Sequence, residues 1–135
     1  MSTAAAVRPR LLYLTVFALV IPLGLFTRSE SAPLPEFVRL YGGDTLWAVM
    51  FFLSFAVLMP KAATWRILLL AAVCVYGLEF LQLADWPWLG QLRKNRAMGF
   101  LLGTTFMASD VVCLSVGLLM ATVGDVAFLR WRAKT

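Results

Sequence analysis

The sequence predicts an all-α integral membrane protein, with four transmembrane helices plus a short outer re-entrant or interfacial helix. Three observations carry that prediction. Of 135 residues, 61% are hydrophobic and only 14% are charged, too little polar surface for a soluble domain of this length. The apolar residues gather into four runs, at about 11–26, 45–59, 65–83 and 111–129. As helices at 1.5 Å per residue these are roughly 22 to 29 Å long, enough to cross a hydrocarbon core of about 30 Å once flanking turns are added. Finally, the basic residues and the tryptophans concentrate at the ends of those runs.

The first run follows Arg8 and Arg10, and "SESA" comes after it. That layout also suits a signal peptide. Cleavage after Ala32, however, would put Glu30 three residues before the cut and Pro33 directly after it, where small residues are needed, so a retained span is expected. The second run is the shortest, with Asp44 at its start and Lys61 and Arg66 around the turn that follows. The third carries Glu79 and Gln82 near its end. Residues 97–106 are too few to cross, and Gly99 and Gly103 suit a short helix lying close against another. Ser109 and Asp110 read as N-cap residues for the last span, and Arg130, Arg132 and Lys134 follow it.

With four crossings, the cations before the first span, between the second and third, and after the fourth fall on one side. The positive-inside rule then places both termini in the cytoplasm. Trp65 and Trp131 mark that boundary, and Trp47, Trp86 and Trp88 mark the opposite one. The net charge of +5 is spent on these short clusters rather than on one continuous face, which speaks for lipid contacts and against nucleic acid. The chain has no His, so the usual neutral-pH proton carrier and commonest transition-metal ligand is missing. Cys74 and Cys113 stand alone in apolar runs and read as packing residues. No metal site and no cofactor is expected.

One residue resists the apolar pattern. A glutamate on a helix in hydrocarbon is penalised by roughly 2.5 to 3.5 kcal/mol, so Glu79 should face protein or water and have a partner or a task. Gln82 shares its face at i+3. By the expected topology Asp44, Glu79 and Asp110, from three helices, lie at one outer depth beside Arg93, Lys94 and Arg96, cations on the side that should be poor in them. Asp44 and Asp110 also suit helix starts, where the macrodipole favours acids, but Glu79 sits in a C-terminal turn, where the dipole opposes it. Small and polar stripes mark the inward faces: Asp110, Cys113, Gly117, Ala121 and Asp125 on the fourth span, and Ala72, Tyr76, Glu79 and Gln82 on the third. Asp125 is at cytoplasmic depth, within the expected reach of Lys61, Arg66 or Arg130, and reads as structural.

The segments "GDTLWAVMFF", "LEFLQL", "LR" and "MGFLLGTTFMASDVVCLSVG", in this order, resemble an uncharacterised bacterial family of small membrane proteins, domain of unknown function 2809. That family is in turn similar to the VanZ-like proteins, whose pattern places an acid, a Gln two or three residues on, an Arg, and an Asp opening the last helix. The resemblance implies Glu79, Gln82, Arg93 and Asp110 as the corresponding set, and a cell-envelope setting without an established reaction. Trp47 follows Asp44 where the VanZ-like pattern has a His, so proton transfer assigned to that His does not carry over.

The leading expectation is therefore a protein that binds an anionic lipid or lipid-linked envelope precursor at the outer leaflet. Asp44, Glu79, Gln82, Arg93, Arg96 and Asp110 would form the site, because a guanidinium held by a carboxylate can still engage a phosphate through two hydrogen bonds. Two rivals stand beside it: a structural or assembly subunit of a membrane complex, and a membrane-embedded enzyme on a phosphate-bearing lipid with Glu79 as general acid or base. Against the enzyme, Ser29, Ser31, Ser54, Ser109 and Ser115 have no His or Lys placed as a base. A transporter is disfavoured by four short spans without an inverted repeat, and a homo-oligomer is compatible with every reading.

Overall fold

The structure is a computed structural model that describes residues 7–27, 29, 31, 33–81, 87–95 and 108–135, the side chains of Leu40, Leu89, Arg93 and Ala108 excepted. The described residues form five helices: α1 (Arg10–Thr27), α2 (Glu36–Leu58), α3 (Thr64–Leu81), α4 (Pro87–Lys94) and α5 (Ala108–Lys134). Four of them, α1, α2, α3 and α5, are long and apolar enough to cross a membrane. The chain is an all-helical, multi-pass membrane protein.

The spans differ from the sequence reading at their ends. The second begins at Glu36 rather than near residue 45, with Pro35 at the N-cap position, because the segment from Phe37 to Tyr41 is apolar enough to continue the helix. Asp44 therefore lies more than two turns inside α2 and caps nothing. Ser109 and Asp110 likewise sit within the first turn of α5 instead of preceding it, although an aspartate there still complements the positive end of the helix. The loop after the third span contains α4, which opens on Pro87, a residue whose missing N–H costs nothing at a helix start. The helix expected over 97–106 lies outside the described residues, as do Gln82, Trp86 and Arg96.

Helix α2 is the hub, packing against α1, α3 and α5, while α3 also packs against α5. Its inward residues Ala48, Phe52 and Ala56 are almost wholly buried, in contact with Ile67, Ala71 and Val75 of α3 and Leu114 and Leu118 of α5. Small residues set the closest approach. A Cβ built on Gly117 of α5 would lie 2.2 Å from the Thr45 carbonyl oxygen of α2 and 2.9 Å from the Ala48 Cβ, so only glycine permits this crossing. The stripe expected on α5 is confirmed in Cys113, Gly117 and Asp125, which are all buried. On α3 the buried stripe is Ile67, Ala71 and Val75, about 100° round the helix from the one expected; Tyr76 and Glu79 are half-buried at its edge. Trp47 is also half-buried, packed edge-on against Phe51 inside α2 rather than marking a helix end, whereas Trp65 and Trp131 are exposed at the ends of their helices.

Hydroxyls along the spans are satisfied by their own helices. Thr15, Thr45, Ser54, Ser115 and Thr122 each donate to the carbonyl four residues earlier, which removes the cost of carrying them in an apolar solvent. Neither Glu79 nor Asp125 can be accommodated this way.

Candidate functional site

Two polar centres result, about 22 Å apart along α5 if measured from Asp110 to Asp125 at the helical rise. The first is closed. Asp125 is 4% exposed and Arg8 2% exposed, yet both carry a full set of partners. Arg8 grips the carboxylate with two nitrogens, Nε to Oδ1 at 2.8 Å and Nη2 to Oδ2 at 2.6 Å. The Tyr13 hydroxyl donates to Oδ1 at 2.5 Å and the Thr64 hydroxyl to Oδ2 at 2.7 Å. The remaining guanidinium edge is taken by the Ala62 carbonyl, 2.6 Å from Nη1, and by Thr64 Oγ1, 2.9 Å from Nη2.

Four chain segments meet there: the stretch before α1, α1 itself, the turn from α2 into α3, and α5. The Arg8 amide also donates to the Pro60 carbonyl, and Arg132 reaches back to the Val7 carbonyl. Burial works against the charge on Arg8, but the hydrogen bonds and negative charge of Asp125, with a smaller share from Tyr13, outweigh it and hold its pKa above the ordinary arginine value. That raised pKa leaves the charged form intact at every pH below the ordinary value, so Arg8 adds no pH dependence to stability in the neutral range.

This centre corrects the sequence reading, which offered Lys61, Arg66 or Arg130 as partners for Asp125 and gave Arg8 only a topological role. Lys61, Arg66 and Arg130 are exposed, and Arg66 lies over its neighbour Trp65. A signal was present: Arg8 shares an end of the bundle with Asp125 in the predicted topology, and a lone aspartate deep in an apolar run needs a buried partner.

The second centre is at the opposite end of the spans. Asp44 of α2 and Asp110 of α5 both lie within electrostatic reach of Cys113, with Thr45 beside the thiol. Glu79 stands one turn beyond Tyr76 on α3, and the Tyr76 hydroxyl is 2.5 Å from the Ser115 hydroxyl on α5, five positions after Asp110. Glu79 Oε2 is buried without a hydrogen bond of its own, while Asp44, Glu79 and Asp110 each take part in a polar or electrostatic interaction. The three acids thus share one end of the bundle. Among the described residues, no three of His, Cys, Asp or Glu come close enough to hold a metal ion. Arg93 is on α4, which starts six residues after α3 ends, and Lys94 beside it is exposed.

A third feature lies at the same end of the bundle. An apolar recess of about 710 Å³ opens between the C-terminal end of α1 and the first turns of α5, floored by α2, and Thr45 and Cys113 line it. Its size is within the usual range of about 300–1,000 Å³ for small-molecule sites. Nothing in the sequence reading anticipated it, because it arises where α1 and α5 fail to pack along their lengths.

The profile of the family described as "Protein of unknown function (DUF2809)" matches residues 33–118, more than half of the chain, and the chain belongs to that family. The match runs from just before α2 into α5 and takes in Asp44, Glu79, Arg93 and Asp110, but neither Arg8 nor Asp125. No solved structure matches the chain.

Proposed function

From membership of a family to which no reaction is attached, we propose that the protein binds an anionic, phosphate-bearing lipid or lipid-linked envelope precursor at the outer leaflet of a bacterial cytoplasmic membrane, both termini being cytoplasmic. The observation that carries this reading is that Asp44, Glu79 and Asp110 lie toward the same end of the bundle, where Thr45, next to Asp44, and Cys113, one turn after Asp110, line a large apolar recess. In it, Arg93 and Arg96, with Lys94, hold the phosphate, while Glu79, Gln82, Asp44 and Asp110 fix the arginines. A guanidinium desolvated beside a carboxylate keeps its charge and presents its remaining N–H groups in a rigid fork, the geometry a phosphate accepts.

The recess adds what a headgroup site alone lacks, an apolar volume within the spans for the rest of an amphiphile. Catalysis is disfavoured by the absence of any His from the sequence. A purely structural role fits the Arg8 centre, where the carboxylate and the guanidinium are fully engaged.

The test is native mass spectrometry of the purified protein. Wild type is expected to retain phosphate-bearing lipid, and Arg93→Ala with Arg96→Ala to lose it while keeping the wild-type circular dichroism. Undiminished lipid in a folded double variant contradicts the proposal.

A further inference from the structure

The face of the bundle between α1 and α5 has a shape that the acid cluster does not explain. Both helices flank α2, but among the described residues they share no close backbone approach, and polar and aromatic side chains join them at one end. There Tyr13 bonds Asp125 and stacks edge-on with Phe128, ring centroids 5.9 Å apart. Away from that junction the helices leave two successive recesses along the same face. The inner one, of about 280 Å³, is lined by Val16, Val49 and Phe52 and ends against Tyr13, Asp125 and Phe128. The outer one is the recess of about 710 Å³ whose walls include Leu23 and Val112, with Phe37 and Tyr41 at its rim.

We infer that this furrow is the seat of one lipid acyl chain, which enters at the acid end and runs toward the Arg8 centre. Four facts select that occupant. The furrow lies between membrane spans, so the solvent that competes for it is hydrocarbon, and its walls are apolar apart from hydroxyls such as Thr27, Tyr41 and Ser109 at the open end and the engaged Asp125 at the closed one. A spanning helix about 10 Å across and 30 Å long occupies roughly 2,400 Å³, several times what is available, so a neighbouring helix can lie across the furrow but not in it. An acyl chain is narrow and flexible, and its polar end must stay at the interface, which matches an apolar slot with one polar mouth. Finally, the tilted Phe37 and Tyr41 rings, centroids 5.2 Å apart, give the mouth the aromatic character of a headgroup boundary.

The Arg8 centre is then the floor of the slot. Tyr13 and Phe128 line that end of the slot together with Asp125, whose carboxylate is already engaged by Arg8, Tyr13 and Thr64. This inference rests on the proposed function only for the headgroup; the furrow follows from packing alone.

Its test uses full-length protein in nanodiscs with phosphatidylglycerol carrying a diazirine near the end of one acyl chain, and diacylglycerol with the same chain. In wild type, photolabelling is expected to concentrate on the walls and floor of the slot, including Leu12 to Val16 and Gly124 to Phe128. Val112→Trp, at a 62% exposed position in the outer wall, should lower that labelling by about tenfold or more. Val123→Trp, equally exposed on α5 but outside the furrow, should leave it unchanged. Label spread evenly over the exposed faces of the spans in wild type overturns the inference whether or not the variants fold. So does a wild-type dimer that Val112→Trp converts to monomer, since a second copy would then be the occupant. If both lipids label the slot equally, and Arg93→Ala changes neither, the furrow stands and the headgroup reading fails.

Discussion

The two ends of this bundle treat buried charge in opposite ways. At one end Arg8 and Asp125 form a pair in which both carboxylate oxygens are doubly bonded and the guanidinium is engaged by Asp125, Ala62 and Thr64. Nothing is left over for a ligand, and the geometry ties four chain segments together. At the other end stand three carboxylates from three helices that, among the described residues, form no metal-holding cluster, with an apolar recess at the same end. A buried ion pair is weak evidence for net stability, since an apolar replacement often does as well, but breaking one partner is costly. The contrast teaches that a buried acid in a membrane span can be accounted for by structure alone where, as at Asp125, its partners tie separate chain segments together.

The largest expected effect tests the closed end. Asp125→Asn leaves Arg8 desolvated without its counter-charge and should cost about 3 to 5 kcal/mol of stability, read by thermal unfolding in detergent or nanodiscs. Replacing both partners, as in Arg8→Met with Asp125→Leu, should recover most of that loss, because the apolar pair has no charge to strand. A small effect of Asp125→Asn alone would remove the distinction between the ends. Tyr13→Phe deletes one donor to the carboxylate and keeps the ring that floors the furrow. It should cost about 1.5 to 3 kcal/mol, the range for hydrogen bonds to charged groups.

Next in size is the crossing between the two centres. Gly117→Ala forces α2 and α5 apart where the added Cβ would meet the Thr45 carbonyl at 2.2 Å, and overpacking of this kind costs about 1 to 3 kcal/mol. Because Thr45 and Cys113 lie between that crossing and the acids, the variant should also alter lipid retention, which sharpens the comparison: strain there reaches the open end. The smallest effect belongs to Tyr76→Phe, which removes the bond to Ser115. Interhelical hydrogen bonds within membranes average about 0.6 kcal/mol, so a barely shifted unfolding temperature is expected.

Much of the fold was legible because hydropathy and cation placement are properties of single runs. The four spans, and the inward face of α5 through Cys113, Gly117 and Asp125, follow from spacing alone. The start of α2 was misplaced by about two turns because the polar break at Gly42, Gly43 and Asp44 reads as a boundary, while in the structure the helix carries straight through it. Glu79 stands out in the sequence by its cost in hydrocarbon, and the order of the spans puts Asp44 and Asp110 toward the same end. Partners were harder: which cation meets Asp125 depends on how the stretch before α1 folds under the α2–α3 turn, and no local pattern encodes that. The furrow was invisible for the same reason, being made by a contact that two helices do not make.

The central claim is that the acid end is built to hold a lipid phosphate and the Arg8 end is not. The most direct measurement is the shift in unfolding temperature on adding phosphatidylglycerol to delipidated protein, compared between wild type and Glu79→Gln with Asp110→Asn. A ligand that binds only the folded state raises stability by about 2.7 kcal/mol at one hundred times its Kd, so the shift reports binding itself. A clear shift is expected for wild type and its loss in the double variant, whose lipid-free unfolding temperature stays well above that of Asp125→Asn. An undiminished shift in the double variant would contradict it.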